Sequence, residues 1–333
     1  MKALCYSKKR GLHLAEKEIP SPKKGEVLLK VLACTICGSD LRVVRGEKEV
    51  KRDGVTLGHE IWGKVVESRN SALKEGEQLS LFPSIFCKRC EPCLKGAVNL
   101  CKNKLSFGSA LDGGFAEYLL IPEELLNIGG FVKTKREGLA NCLIEPLGCV
   151  IRSLEILQPR DNLLILGAGP LGLMHLIVAD AHNINVSIVD RNPHRRAFAE
   201  KLCKKCKSFA SLSEVEESFS AAVMCAPAFG ELDRIVELVK ERGRVNLFAG
   251  GSWEAKSGIT PNLIHYREII LTGTHSTTPE SFKKAGELSL RIWNKLQGLI
   301  THIYPLTAYT EAFKAYETRR ALKVALIPHK DIA

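Results

Sequence analysis

Residues 163–172 read LLILGAGPLG, and this stretch decides the fold of the second half of the chain. A continuous apolar run of this kind is typical of a strand buried in a parallel sheet. The pattern G-x-G-x-x-G follows at once and opens a helical stretch. There Gly167 permits a tight turn, Gly169 lets the backbone approach a pyrophosphate, and Gly172 lets helix and strand pack closely. The helix N-terminus would hold the phosphates, so the stretch predicts a dinucleotide site.

The end of the next predicted strand indicates which dinucleotide is bound. Residues 185–189 form a strand-like run that ends in Asp190, about twenty residues after the glycines. A carboxylate there can accept hydrogen bonds from ribose hydroxyls and would repel a 2′-phosphate. The sequence therefore favours NAD, and the neighbouring Arg191, Arg195 and Arg196 keep NADP as the less favoured alternative.

Fainter strand and helix patterns continue towards the C-terminus. We predict a strand at 221–225, a helix at 231–242, strands at 244–248 and 269–272, and a helix at 280–296. Strands that alternate with helices favour an α/β fold with a doubly wound parallel sheet. A chain of 333 residues is long enough for this domain and a second one.

Upstream of this region, residues 87–101 read CKRCEPCLKGAVNLC. The four thiols can converge on one ion at about 2.3 Å and close a tetrahedron around it. Such a site has no open position, so we predict a structural zinc held by Cys87, Cys90, Cys93 and Cys101. The alternatives are a disulfide cluster, which is rare in reducing compartments, and an iron–sulfur cluster, whose usual spacings differ from this one.

A second set of metal-binding residue types is spread along the first half of the chain. Cys37 lies in a glycine-flanked turn, and His59 and Glu60 follow Gly58. Three protein ligands and one open position are typical of a catalytic zinc. Glu145 stands in an apolar run and needs a partner or a cation there. The alternatives are a simple loop histidine at 59 and a helix-start carboxylate at 145.

Composition and charge exclude several classes of protein. The formal net charge is +11, but the basic residues form short, separated groups, so nucleic-acid binding is not expected. No apolar run approaches the length of a membrane span. The 12 cysteines show no pairing framework and the first residues show no signal-like apolar segment, which together favour the cytoplasm.

Several motifs occur in one order along nearly the whole chain. Together they closely resemble the zinc-containing medium-chain dehydrogenases of the alcohol dehydrogenase superfamily. The sorbitol (polyol) dehydrogenase branch is nearest, because position 145 is Glu where the simple alcohol dehydrogenases have Cys. The motifs are Cys37-Gly-Ser-Asp, Gly58-His-Glu, the four-cysteine segment, Gly113-Gly-Phe-Ala-Glu-Tyr, Ile144-Glu-Pro-Leu and the glycine-rich turn.

This resemblance implies a domain organisation. A GroES-like, β-rich catalytic domain would comprise residues 1–143 and 276–333, with a Rossmann domain at 144–275 between them. The nicotinamide would lie beside the catalytic zinc. The resemblance also implies a homodimer or homotetramer.

The resemblance further implies roles for individual residues. Cys37, His59 and Glu145 would bind the catalytic zinc, with Glu60 as an alternating ligand or close neighbour. Ser39 would bond the substrate oxygen and start a proton relay, and Asp40 would orient His59. The implied cofactor-binding residues are Gly167, Gly169, Pro170, Leu171, Gly172, Asp190 and Arg195.

The implied activity is that of an NAD(P)-dependent zinc alcohol or polyol dehydrogenase acting on CH–OH donors. It would transfer a hydride between NAD and the secondary alcohol of a polyol, sugar or cyclitol. Arg42 stands where many members carry the histidine that ends the proton relay, and together with Arg45 it allows for a phosphorylated substrate. The alternatives are threonine-dehydrogenase-like oxidation of a hydroxy amino acid and a zinc- and dinucleotide-binding protein without turnover.

Overall fold

The computed structural model describes residues 1–329, so the last four residues of the predicted catalytic domain lie outside the described residues. The chain divides into two compact units. One comprises Met1–Gly148 and the described chain from Thr277 onward, and the other is Cys149–Ser276. The predicted domain division differs from these limits by five residues at the first break and by one at the second.

The first unit is rich in β-structure. Its strands are β1 (Lys2–Ser7), β2 (Gly11–Glu16), β3 (Val27–Thr35), β4 (Val55–Thr56), β5 (Glu60–Ser68), β6 (Gln78–Leu81), β7 (Ser84–Ile85), β8 (Leu105–Ser106), β9 (Tyr118–Ile121), β10 (Phe131–Lys133), β17 (Ile300–Pro305) and β18 (Lys323–Ile327). Its helices are α1 (Gly38–Val44), α2 (Glu91–Leu94), α3 (Glu123–Asn127), α9 (Pro279–Arg291), α10 (Trp293–Gln297) and α11 (Tyr309–Glu317). Helix α4 (Ile144–Leu157) begins in this unit and continues into the second.

The largest sheet of this unit brings distant parts of the chain together. Its seven strands run in the order β10-β6-β5-β3-β18-β17, with β9 also paired to β3. Strand β3 is antiparallel to both β5 and β18, and Thr35 lies opposite Glu60 on one side and Ala325 on the other. The end of β3 therefore lies beside the start of β5. Smaller sheets are formed by β2-β1-β4 and by β7-β8.

The second unit is built around one sheet. Its strands are β11 (Asn162–Leu166), β12 (Asn185–Val189), β13 (Lys207–Phe209), β14 (Phe219–Met224), β15 (Val239–Leu247) and β16 (Ile270–Gly273). They pair in the order β13-β12-β11-β14-β15-β16, and every pairing is parallel. The helices are α5 (Pro170–Ala181), α6 (Pro193–Leu202), α7 (Leu232–Glu237) and α8 (Pro261–His265). The prediction of a doubly wound parallel sheet is confirmed.

Two predicted helices are wrong in extent. The helix expected at 231–242 ends at Glu237, and β15 begins at Val239. This strand pairs with β14 at Val239 and again from Arg244 onward, where it also pairs with β16. Between these pairings Arg242 has a φ of +58°, which a helix does not allow. The helix expected at 280–296 is two helices, α9 and α10, which meet at Ile292.

Candidate active site

Cys37, His59 and Glu60 are brought together by the antiparallel pairing of β3 and β5. Cys37 caps the start of α1, two residues after β3 ends, and its backbone N–H donates to Asp40 Oδ2 at 2.9 Å. Glu60 is the first residue of β5, and His59 immediately precedes it. One ligand atom from each of Cys37, His59 and Glu60 lies within 4.8 Å of the other two. This set of sulfur, nitrogen and oxygen donors fits a zinc ion.

The imidazole of His59 is held by a buried acid. Asp40 Oδ1 lies 3.4 Å from His59 Nδ1 and its side chain is almost fully buried, which leaves Nε2 for a metal ion. Burial alone would lower the pKa of His59, but the charge and hydrogen bond of Asp40 together with the contact to Cys37 outweigh burial and raise that pKa well above its usual value. A metal ion therefore competes with a proton for this imidazole.

Glu60 is held by a buried ion pair with Lys323 and by a hydrogen bond from Thr35. Lys323 Nζ lies 2.5 Å from Glu60 Oε1 and 2.6 Å from Oε2, and the hydroxyl of Thr35 also donates to Oε2. Both side chains of the ion pair are almost completely inaccessible to solvent, at 2% for Lys323 and 0% for Glu60. Burial would lower the pKa of Lys323, but the charge of Glu60, the charges of Cys37 and Tyr316 and the hydrogen bond to Glu60 together outweigh burial, so the pKa is raised. Glu60 thus belongs to the candidate metal group and is also fully paired with protein atoms.

Lys323 was not among the residues predicted from sequence. Its partner is 263 residues away along the chain, so no local motif connects the two. The signal that could have found it is the lysine that begins the otherwise apolar strand KVALI at 323–327. A charged residue in a fully buried strand needs a partner of opposite charge.

Glu145 is not a member of the group formed by Cys37, His59 and Glu60. It lies in the first turn of α4 and is buried, at 7% exposure. Its role as a zinc ligand stays a prediction.

Ser39 and the arginines of α1 lie close to Cys37 in the chain but differ in their surroundings. Ser39 is half-buried in the first turn of α1. Arg45 donates two hydrogen bonds to Glu317 Oε1, at 3.0 and 2.8 Å. The Arg42 side chain is 40% exposed and lies 3.8 Å from Glu47 Oε2. Both arginines therefore already face carboxylates.

The four-cysteine segment has the geometry of a metal site. Cys90 Sγ lies 3.4 Å from Cys93 Sγ and 3.8 Å from Cys101 Sγ. A tetrahedron with 2.3 Å bonds has edges of about 3.8 Å, whereas a disulfide bond is about 2.05 Å long. The backbone N–H of Arg89 and further donors lower the pKa of Cys87 to about 6, which favours its thiolate, whereas burial and the neighbouring thiols of Cys90 and Cys101 raise the pKa of Cys93 to about 12. These contacts fit zinc and do not fit disulfides.

The glycine-rich turn after β11 has the shape that close phosphate approach requires. Gly167 has a φ of +103°, which favours glycine. A Cβ atom on Gly172 would lie 1.8 Å from the Gly167 carbonyl oxygen, so only glycine fits there. Pro170 and Leu171 form the first turn of α5, and Gly169 caps it. The backbone N–H groups at this helix start are the donors that a pyrophosphate needs.

Asp190 is fixed at the end of β12 by backbone donors. Its Oδ2 accepts from the N–H of Ala168 and its Oδ1 from the N–H of Asn192, both at 2.8 Å. Arg195 Nη1 lies 3.9 Å from Asp190 Oδ2 and 4.0 Å from the position of a Cβ on Gly169. The predicted dinucleotide residues 167–172, Asp190 and Arg195 are therefore neighbours.

Comparisons with known proteins identify the family of this chain. Residues 23–128 match the model of the alcohol dehydrogenase GroES-like domain. The chain is 30% identical over 347 residues to the L-threonine 3-dehydrogenase of Pyrococcus horikoshii, with 95% of each chain covered. The chain belongs to the zinc-containing medium-chain alcohol dehydrogenase family. The predictions of this family, of its two-part fold and of an enzyme are confirmed.

One further relative and one crystal structure are also similar to this dehydrogenase over nearly its whole length. L-galactonate-5-dehydrogenase of Escherichia coli is 28% identical over 328 residues, with 94% of each chain covered. A crystal structure of a zinc-binding dehydrogenase from Sinorhizobium meliloti bound to NADP is 25% identical, with a TM-score of 0.89 and coverage of 98% of this chain and 99% of that one. In this chain, the four cysteines of residues 87–101 and the group of Cys37, His59 and Glu60 are the sets of side chains among the described residues that could hold a metal ion. Within residues 1–329, no helix is long and apolar enough to cross a membrane.

Proposed function

We propose that this dehydrogenase transfers a hydride between NAD and a secondary alcohol of a polyol, sugar, sugar acid or cyclitol. The observation that carries the proposal is the group of Cys37, His59 and Glu60, whose ligand atoms lie within 4.8 Å of one another in a member of this family. When bound there, zinc supplies Lewis acidity that stabilises negative charge on the substrate oxygen. Glu145 is the further ligand that we propose from the family pattern.

The residues around this group have separate tasks in the proposal. Asp40 holds the imidazole of His59 by its Nδ1, and Cys37 is held at the start of α1. The hydroxyl of Ser39 takes the proton from the substrate and passes it outward. Arg42 cannot end this relay, because a guanidinium stays protonated near neutral pH. The proton therefore passes from Ser39 to water or to a cofactor hydroxyl.

The proposal of NAD rests on the position of Asp190. Each of its carboxylate oxygens accepts one backbone N–H and retains a lone pair that can accept a hydrogen bond from a ribose hydroxyl. A 2′-phosphate would instead meet the negative charge. Arg195 already faces this carboxylate and is therefore partly neutralised.

The substrate class is argued from the relatives and from the arginines of α1. One reported relative acts on a sugar acid and another on a hydroxy amino acid, so L-threonine remains the second candidate substrate. Because Arg45 is held by Glu317 through two hydrogen bonds, it is not poised to bind a substrate phosphate. An unphosphorylated polyol or sugar acid is therefore the first choice.

The test combines metal analysis with a substrate panel. We expect two zinc ions per chain in the wild type and one in Cys37→Ser, together with loss of NAD reduction but an unchanged circular dichroism spectrum. The control is Cys5→Ser, because Cys5 lies outside both cysteine groups and its Sγ is 3.7 Å from the Thr56 hydroxyl. Polyols, sugar acids, their phosphates and L-threonine are compared by kcat/KM with NAD and with NADP. A single zinc ion in the wild type that persists in Cys37→Ser would overturn the proposal.

A further inference from the structure

A chain of buried polar side chains runs through the second unit, beneath the carboxyl ends of its strands. It contains His175 of α5, Ser153 of α4, Asn246 of β15 and Thr274, which follows β16. His175, Ser153 and Asn246 are 0% exposed, and Thr274 is 8% exposed. Buried polar groups are costly unless they are hydrogen-bonded, so the direction of each hydrogen bond can be worked out.

His175 determines which groups donate and which accept along this chain of hydrogen bonds. Its Nδ1 lies 2.8 Å from the Leu171 carbonyl oxygen, which can only accept, so Nδ1 carries the hydrogen. Burial lowers the pKa of His175 to about 4, so the ring is neutral near pH 7 and Nε2 is an acceptor. Ser153 Oγ lies 3.0 Å from Nε2 and must therefore donate to it.

The same reasoning gives the donor and acceptor roles of Asn246 and Thr274. The single hydroxyl hydrogen of Ser153 is used by His175, so Ser153 Oγ accepts from Asn246 Nδ2 at 2.7 Å. This excludes the flipped amide, in which Asn246 and His175 would compete for that hydrogen. The other Nδ2 hydrogen goes to Thr274 Oγ1 at 2.9 Å, so Thr274 also accepts within the chain. Its own hydroxyl hydrogen is left to donate elsewhere.

The far end of this chain of hydrogen bonds is incomplete. No acceptor for the Thr274 hydroxyl hydrogen occurs among the hydrogen bonds of the described residues. Asn246 Oδ1 is buried and has no partner there either. Buried polar atoms without hydrogen-bond partners lower the stability of the folded protein. Departures of this kind are concentrated at functional sites.

The position in the sheet indicates which half of a bound dinucleotide would lie nearest to Thr274. Ligands of parallel sheets bind at the carboxyl ends of the strands, and a dinucleotide lies across both halves of the sheet. The glycine-rich turn and Asp190 follow β11 and β12, so they would hold the pyrophosphate and the adenosine ribose of a bound dinucleotide. Asn246 and Thr274 lie at the ends of β15 and β16 in the other half, and the Thr274 N–H is anchored to the Leu247 carbonyl at 3.3 Å. That half would be left for the nicotinamide of a bound dinucleotide.

We propose that the Thr274 hydroxyl donates a hydrogen bond to the carboxamide oxygen of the nicotinamide, and that His175, Ser153 and Asn246 are positioning residues that aim it. The inference rests on the proposed function, because it requires a nicotinamide dinucleotide at this edge of the sheet. The packing around His175 supports a rigid arrangement. The Phe248 ring meets the imidazole edge-on with centroids 4.7 Å apart, and Cys225 Sγ lies 3.5 Å from Nδ1.

The experiment compares two ligands on the zinc-loaded enzyme by isothermal titration calorimetry. NADH carries the nicotinamide, whereas ADP-ribose lacks it and keeps the adenosine and pyrophosphate. For Thr274→Val, which keeps the shape and removes the donor, we expect NADH to bind about tenfold more weakly, or about 1.4 kcal/mol. We expect ADP-ribose binding to change by less than about twofold, since a hydrogen bond to the pyrophosphate half is not removed.

Two further variants distinguish an effect on the orientation of the Thr274 hydroxyl from a general effect on folding. Thr274→Ser keeps the donor and should restore most of the NADH affinity. Ser153→Ala removes the group that orients Asn246 and should weaken NADH binding in the same direction by a smaller factor, again with ADP-ribose unaffected. Equal weakening of both ligands, or unchanged NADH binding in Thr274→Val, would overturn the inference. If the wild type bound neither ligand, the proposed function itself would fail.

Discussion

Lys323 shows how much of the candidate active site depends on one buried charge. Cys37, His59 and Glu60 could be chosen from sequence because their types and glycine-flanked positions are typical of zinc sites. The pairing of Glu60 with Lys323 and Thr35 could not, because a hydrogen bond between residues 263 positions apart depends on the sheet register. Local patterns predict which residues are available for chemistry, but they do not predict which of them are already bound to another side chain.

Removal of the Lys323 charge should leave the buried carboxylate of Glu60 without a partner of opposite charge. We expect Lys323→Met to lower the free energy of unfolding in urea by about 3–5 kcal/mol, because one partner of a buried ion pair is left uncompensated. The double variant Lys323→Met with Glu60→Gln should recover much of this loss, since no buried charge remains. Lys314→Met, on the exposed side of α11, is the control and should change stability by less than about 0.5 kcal/mol.

The Lys323→Met variant also tests how tightly the catalytic zinc is held. Since Lys323 occupies both oxygens of Glu60, its removal frees a carboxylate within 4.8 Å of the other two donors. Release of the catalytic zinc to a chelator should then be slower in Lys323→Met than in the wild type, despite the lower stability. Faster release would show that Lys323 supports the metal group rather than withdrawing a ligand from it.

Among helices and strands, those marked by strong motifs were placed correctly along the chain, whereas those marked only by weak periodicity were not. The predicted strand 185–189 matches β12, and the glycine-rich turn lies between β11 and α5 as expected. The stretch 231–242 is different, because its charged residues suit an exposed helix as well as an exposed strand. Val239 and the residues from Arg244 onward pair with other strands, and a local pattern does not contain those partners.

The four-cysteine lobe, residues 87–104, is an element that its metal must hold together. Helix α2 has only four residues and none of them is buried. Leu94 and Leu100 are 74% and 54% exposed, so the lobe has little apolar core of its own. Metal binding must therefore supply the free energy that orders it.

Loss of that metal should open the lobe without unfolding the rest. We expect Cys93→Ser to make the lobe at least about tenfold more sensitive to trypsin, which can cut at Lys88, Arg89, Lys95, Lys102 and Lys104. Mass spectrometry of the fragments checks the positions of cleavage. Cys37→Ser, which changes the other metal group, should leave the rate at these sites unchanged. Equal sensitivity of the two variants would contradict a separate structural zinc.

For the whole molecule, the buried histidine of the second unit gives a dependence of stability on pH. His175 has a pKa of about 4 in the folded chain, whereas an unfolded histidine has about 6.5. Between these values the unfolded state binds a proton that the folded state does not. The free energy of unfolding therefore falls as the pH drops from about 6.5 to about 4, and this term is constant above that window.

His175→Gln should flatten this dependence. At pH 5 the wild type should have lost about 2 kcal/mol relative to pH 7.5 through His175, and the variant should lack that part of the loss. Urea unfolding at the two pH values measures the difference, and effects of the zinc ligands cancel because both proteins contain them. Parallel losses in the two proteins would show that His175 is protonated when folded.

The distance in sequence between Glu60 and Lys323 also has a consequence during protein synthesis. A ribosome that adds about 5–20 residues per second needs about 13–50 s to travel from one to the other. Throughout that interval the nascent chain already contains Cys37, His59 and Glu60, but not the lysine that neutralises the carboxylate. Zinc captured at this stage therefore meets a glutamate that is free to coordinate it, and the arrival of β18 then offers that glutamate another partner. The order of synthesis thus provides Cys37, His59 and Glu60 before the lysine that completes their surroundings.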